Sequence, residues 1–191
     1  MDHIYQNSNF GQHWFSYPNL YKSVVEKFSS GSKFVEVGSW KGKSSSFMAV
    51  EIANSNKDIQ FYCVDHWLGS REHYDRNHHA YEPNIHMLYN TFLDNMKPVE
   101  KYYTPLRMSS LEASTHFEDK SLDFVFLDAS HEYDDVCNDI DYWKPKVKIG
   151  GILAGHDYNP DDKDSCGVYP AVNEKIKQFD VSEYCWIHQI S

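Results

Sequence analysis

Apolar positions along this chain follow two rhythms. Runs at 34–37, 59–64, 124–127 and 152–154 are apolar almost without interruption, the pattern of strands buried on both faces of a parallel sheet. Between them, apolar residues recur every three or four positions. Leu20, Tyr21, Val24, Val25 and Phe28 form one such set, Ile85, Leu88, Phe92 and Met96 a second, Tyr133, Val136, Ile140 and Trp143 a third, and Val168, Ala171, Val172, Ile176 and Phe179 a fourth. Each set makes one face of a helix. Pro18 favours a helix start, Gly31 and Pro145 mark helix ends, and 43–52 reads as a further helix behind a Ser-rich first turn. Residues 102–106 make a weak third strand, 148–151 a turn, and 184–190 an alternating strand that closes the sheet antiparallel. Strands alternating with helices predict an α/β fold with a doubly wound, mostly parallel sheet.

Glu36 interrupts the first apolar run, between Val35 and Val37. A carboxylate there is either paired or placed to receive a cationic or hydroxyl-bearing ligand. Gly38 and Gly42 follow, removing side chains where a ligand approaches the backbone, and the helix N-terminus behind them offers unpaired N–H groups. The G-x-G-x-x-G of a dinucleotide turn is not present, because no third glycine follows. Asp65 ends the second strand, where a doubly wound sheet places an acid beside the first turn, able to accept both ribose hydroxyls of an adenosine; a helix-capping or loop Asp is the plainer alternative.

A second group of chemistry-bearing residues lies further on. Asp128 leaves the fourth strand, His131 follows at the mouth of the next helix, and His156 and Asp157 leave the fifth strand. Parallel strands open onto one crevice at their carboxyl ends, so these four should converge as a catalytic or metal constellation. The irregular segment 66–86 holds His66, His73, His78, His79 and His86 without the i, i+4 spacing of a helical zinc site. It reads as a loop shaping a pocket or, equally, as a solvated insertion. His13, Trp14, Phe15 and Tyr17 make an aromatic cluster that is either a flap over the pocket or a packed arm.

Composition narrows the field. A length of 191 residues suits one domain, 1–191, with 1–30 as an N-terminal arm and helix and 66–86 as the substrate loop. The 18 Lys and Arg against 28 Asp and Glu give a net charge of −10, which disfavours a phosphate backbone as partner. Cys63, Cys137, Cys166 and Cys185 show no C-x-x-C pair, as expected of reduced thiols in a cytoplasmic protein. Neither a leader nor a membrane-length apolar run is visible.

The acid-x-Gly-x-x-x-Gly pattern of Glu36, Gly38 and Gly42, the strand ending at Asp65, the Asp128-Ala129-Ser130-His131 stretch and the run from Gly150 to Tyr158 together resemble the class I S-adenosylmethionine (SAM) methyltransferases. The likeness is to the small branch, methyltransferase domain 24-like, related to catechol and macrolide-sugar O-methyltransferases. It implies a Rossmann-like three-layer sandwich on a seven-stranded sheet with one antiparallel strand near the C-terminus. It also implies a SAM site of Glu36, Gly38, Ser39, Trp40, Gly42, Ser44, Asp65, His66, Met108, Ser109, Ser110 and Asp128, with Ser110 at the adenine edge and Met108 on its ring. From the residues alone, Ser110 and Met108 read equally as a helix cap and a core side chain.

By the same resemblance, Asp128, His156 and Asp157 would hold a divalent cation such as Mg²⁺, and His131 stands in the place of the general base. His156 departs from the acid or amide usual there, which either shifts preference toward a transition metal or marks loss of the metal. The expected reaction is methyl transfer to a hydroxyl of a small molecule, a sugar or a phenol, with His131 and Asp128 catalytic and His131 taking a proton near neutrality. N-methylation of a small amine, a SAM- or metal-binding module without turnover, and a nicotinamide-dependent oxidoreductase are the alternatives. A small molecule is the expected partner and a homodimer is compatible; nucleic acid and membrane are not expected.

Overall fold

The computed structural model describes residues 1–11, 14–161 and 166–191. His13 of the aromatic cluster and positions 162–165 of the loop after the fifth strand lie outside the described residues. Helix α1 (Pro18–Lys27) leads into β1 (Lys33–Val37), α2 (Lys43–Ser55) and β2 (Gln60–Asp65). After a long irregular connection come α3 (Leu88–Met96), β3 (Thr104–Arg107), α4 (Ser110–Ser114) and β4 (Leu122–Leu127). The chain finishes with α5 (Tyr133–Trp143), β5 (Val147–Gly155), α6 (Val168–Lys175), β6 (Asp180–Ser182) and β7 (Cys185–Gln189).

Among the described residues these strands form one seven-stranded sheet in the order β3-β2-β1-β4-β5-β7-β6. The pairs from β3 through β5 are parallel, and β7 runs antiparallel to both β5 and β6. Strand alternation explains the two cores. Phe34, Phe124 and Phe126 pack with Tyr21, Val24, Met48 and Phe92 on one face, while Val35, Val37, Val125 and Leu127 pack with Val136, Ile140, Trp143 and Val172 on the other. Helices therefore cover both faces, as the uninterrupted apolar runs require. Among the described residues, no helix is long and apolar enough to cross a membrane.

The elements differ from expectation at the margins. Residues 148–151 are not a turn: β5 already begins at Val147, and its register against β4 shifts between Leu122 and Phe124. Gly150, at φ 83°, donates to the Ile190 carbonyl (2.7 Å), so the glycine pair is a bulge inside the strand. The third strand starts at Thr104 rather than at 102, because a 3₁₀ segment, Lys97–Tyr102, occupies the preceding residues. Helix α3 starts at Leu88, with Ile85–Met87 in a 3₁₀ turn, and α6 stops at Lys175, short of Phe179.

The order reverses between β1 and β4, which places the crevice of this sheet beyond their carboxyl ends. Gly38 donates to Val64 (2.8 Å) and Asp128 to Val37 (2.8 Å), so the tips of β1, β2 and β4 are held level.

Candidate functional site

Gly38 opens the β1–α2 turn at φ 93°, and a Cβ there would stand 1.9 Å from the Asp128 carbonyl oxygen. The strand tips meet this closely only because the position is glycine. Gly42 is different: it caps α2 in the left-handed region, and a Cβ would meet Met96 at 2.8 Å, so its missing side chain accommodates α3 instead of lining the cleft. Glu36 is buried beneath the turn. Its carboxylate accepts from Tyr21 (2.8 Å), Ser39 (2.9 Å) and Ser45, with Ser44 alongside; burial raises its pKa and these hydroxyls oppose the rise. Glu36 is therefore the paired carboxylate, holding the Ser-rich turn in shape, while Gly38, Ser39, Trp40 and Ser44 line the cleft above it.

Asp65, at the tip of β2, faces the same cleft. Its Oδ2 accepts from the Trp40 amide (2.9 Å) and its Oδ1 from the Trp67 amide (2.6 Å). Burial raises its pKa, against the pull of those two N–H groups. Trp40 and Trp67 are both left-handed, at φ 47° and 53°, an uncommon conformation for bulky residues that collects round functional sites. Met108, Ser109 and Ser110 form the next stretch of wall, with His66 across from them. Ser109 caps α4, and Ser110 accepts from the Trp143 indole (2.8 Å).

The 66–86 connection folds over this end. His73 stacks on Trp40 with centroids 4.1 Å apart, and Lys41 donates to Glu82, tying the connection to the first turn. Residues 69–73, 75 and 78–80 line the cleft, so the segment is a wall of the pocket.

At the other end, Asp128, His131, His156 and Asp157 do converge. His131 Nε2 lies 3.0 Å from Asp157 Oδ2, and His156 Nδ1 lies 3.3 Å from Asp157 Oδ1 and 3.8 Å from Asp128 Oδ1. The hydrogen bond that His131 donates to Asp157 lifts His131 to about 9, against burial, and holds Asp157 well below the usual carboxylate range although burial pushes it upward. Burial lowers His156, but the Asp157 bond and the Asp128 charge outweigh it and its pKa is raised. Burial raises Asp128. At neutral pH the raised pKa of His131 favours the protonated ring, above the ordinary histidine value on which the general-base expectation rested.

Among the described residues, Asp128, His131 and Asp157 are a group that could hold a metal ion, offering one ligand atom each within 4.8 Å of one another. His156 stands just outside that set, its Nε2 hydrogen-bonded to Ser16 Oγ at 2.9 Å. The carboxylate–imidazole donors suit a transition metal better than Mg²⁺.

Several site residues escape sequence reasoning. Tyr17 is buried and donates to Asp128 Oδ2 (2.7 Å), with its ring 4.8 Å from that of His156. The aromatic arm is therefore both packed and part of the cleft wall, where Trp14, Phe15, Ser16 and Tyr17 all appear. Glu72 lies 3.8 Å from His131, and Asp139 lines the cleft beside Ser110 with a carboxyl that burial pushes up to about 6.

Comparison with known proteins follows this geometry. Residues 35–158 match the profile described as a methyltransferase domain. An uncharacterized protein of Sinorhizobium fredii is 26% identical over 125 residues, covering 65% of this chain but only 13% of its own length. An uncharacterized protein of Acanthamoeba polyphaga mimivirus is 25% identical over 178 residues, covering 92% of this chain and 73% of its own. This chain thus spans about an eighth of the first relative and most of the second. The solved structure of the O-methyltransferase NovP superposes with a TM-score of 0.66 at 16% identity, covering 91% of this chain and 79% of that one; at such identity the likeness speaks for the fold alone.

Proposed function

The chain belongs to the methyltransferase domain family, among the class I SAM-dependent methyltransferases, and from that premise we propose that it moves a methyl group from SAM to a hydroxyl of a small molecule, a sugar or a phenol. The observation that carries this reading is that Gly38 and Asp65 on one side, and Asp128, His131 and Asp157 on the other, line one continuous cleft. SAM supplies an activated methyl on a positively charged sulfur. The fit is electrostatic as well as steric: among the described lining residues carboxylates predominate, with Lys43 and Arg71 as the cationic exceptions apart from the histidines.

In this reading the first turn and Asp65 fix the donor, with Asp65 keeping lone pairs free for ribose hydroxyls beyond its two amide bonds. Alignment of the acceptor oxygen contributes on the order of 7 kcal/mol in favourable cases. A divalent ion held by Asp128, His131 and Asp157 would supply Lewis acidity toward the acceptor hydroxyl. Without one, His131 takes the hydroxyl proton once its own proton has left, which favours alkaline pH. The same acidic lining gives a second reading, methylation of a small cationic amine.

Transfer of radiolabelled methyl from SAM into neutral hydroxyl and amine panels separates the two. Label in phenols or sugars supports the first, label in amines the second. Full-length protein that binds no SAM defeats both.

A further inference from the structure

The β6–β7 turn is built against the ordinary preferences of a hairpin. Ser182 pairs with Cys185, leaving Glu183 and Tyr184 as a two-residue loop with φ 55° and 60°. Asn and Gly take that conformation readily, and a bulky aromatic does so only when its surroundings impose it. The surroundings here do. The Tyr158 amide donates to the Tyr184 carbonyl (2.9 Å), Ser16 Oγ donates to the Glu183 carbonyl (3.3 Å), and Asn19 donates to the Glu183 carboxylate (2.5 Å). The arm and the loop that carries His156 and Asp157 therefore clamp the turn from two sides.

What the clamp holds out is a largely exposed aromatic side chain. Tyr184 is 60% exposed, and among the described residues its ring meets no other ring and its hydroxyl has no hydrogen-bond partner. Yet Tyr184 lines the cleft, at the end shared with Asp157 and Asn159. A left-handed backbone here holds an exposed aromatic at the rim of the cleft.

We propose that Tyr184 is a specificity-determining residue, presenting its ring as the surface against which the ring of an uncharged acceptor lies beside Asp157. This rests on the methyl-transfer reading of the cleft. A phenol and a pyranose share the relevant chemistry, a flat face with C–H or π character that packs on an aromatic.

The test uses the full chain loaded with S-adenosylhomocysteine, titrated with 4-methylcatechol and with methyl α-L-rhamnopyranoside and followed by saturation-transfer NMR. One probe should bind with transfer from the Tyr184 ring, and which one tells phenol from sugar. Tyr184→Gly should weaken that probe about threefold to tenfold, and Tyr184→Phe should restore it to within about twofold. Because glycine relieves the left-handed turn, Tyr184→Gly should melt no lower than wild type and up to about 2–4 °C higher. The inference is overturned if neither probe binds, if Tyr184→Gly binds the probe as tightly as wild type, or if its Tm falls by several degrees. Failure of wild type to bind S-adenosylhomocysteine would remove the methyl-transfer reading itself, and this inference with it.

Discussion

Replacing Asp157 by Asn tests the electrostatics of the cleft most directly. His131 Nε2 sits 3.0 Å from Asp157 Oδ2, and that bond is the largest reason its pKa stands at about 9. An ordinary histidine titrates at about 6.5, so the difference corresponds to roughly 3.4 kcal/mol between the two protonation states as an upper bound. His131 is 41% exposed and Asp157 37%, so solvent screening reduces the pair's contribution to stability to about 1 kcal/mol. Because the pKa of His131 is raised, its share is complete below about pH 6.5 and is lost as pH rises through about 9. Because that of Asp157 is depressed, its share is present above about pH 4 and is lost as pH falls through its folded value.

Two measurements follow from these signs. Proton NMR of the His131 ring should give a midpoint near 9 in wild type and about two pH values lower in Asp157→Asn, where Glu72 at 3.8 Å remains as a weaker partner. The Tm deficit of the variant, about 2–4 °C, should be largest near pH 5–7 and close to nil above pH 9. If His131 is the base, metal-free kcat/KM should climb about tenfold per pH value toward 9 in wild type and level off earlier in the variant. A wild-type His131 midpoint near 6.5, or one indifferent to Asp157→Asn, would refute the reasoning.

Other expectations concern the site's construction. Gly38→Ala should cost more than about 3 kcal/mol in urea unfolding, since its Cβ would stand 1.9 Å from a carbonyl oxygen, whereas Gly150→Ala, at φ 83° with nothing within 4 Å, should cost only about 1–2 kcal/mol of backbone strain. Tyr17→Phe removes a buried donor from Asp128 and should lower stability by about 1.5–3 kcal/mol by the same measurement; an unchanged midpoint would mean the bond contributes nothing. Mn²⁺ binding read by electron paramagnetic resonance should weaken at least tenfold in His131→Ala and less than threefold in His156→Ala; the reverse order would restore His156 to the ligand set.

How much of this could be read from the sequence depends on where each signal lies along the chain. Strands β1, β2, β4 and β5 announce themselves because central parallel strands are apolar on both faces, and every described member of 34–37 except Glu36 serves a core. Strand β6 is silent because all three of its residues are exposed, and the first half of β5 misleads because Gly150 and Gly151 look like a turn while bonding to Ile190. Asp65, Asp128, His131, His156 and Asp157 are legible because strand tips in a doubly wound sheet share a crevice. The hydrogen-bond partners that reach them from the N-terminal segment are not: Tyr17 and Asp128 are 111 positions apart, and Ser16 and His156 are 140.

Glu36 shows what such distant partners change. Within its strand it could receive a ligand or be paired, and the donors that decide the matter come from the turn (Ser39), from α2 (Ser45) and from α1 (Tyr21). Tyr17, immediately before that helix, reaches Asp128, and Ser16 reaches both His156 and the Glu183 carbonyl. One short segment at the start of α1 therefore fastens the β1 turn, the β4 tip, the β5 tip and the β6–β7 turn at once. Its aromatic rings supply the packing that keeps those hydroxyls in place, with Tyr17 4.6 Å from Phe126 and Tyr21 5.1 Å from it. The two ends of the cleft are thus tied to one segment, and loosening α1 should disturb both ends together.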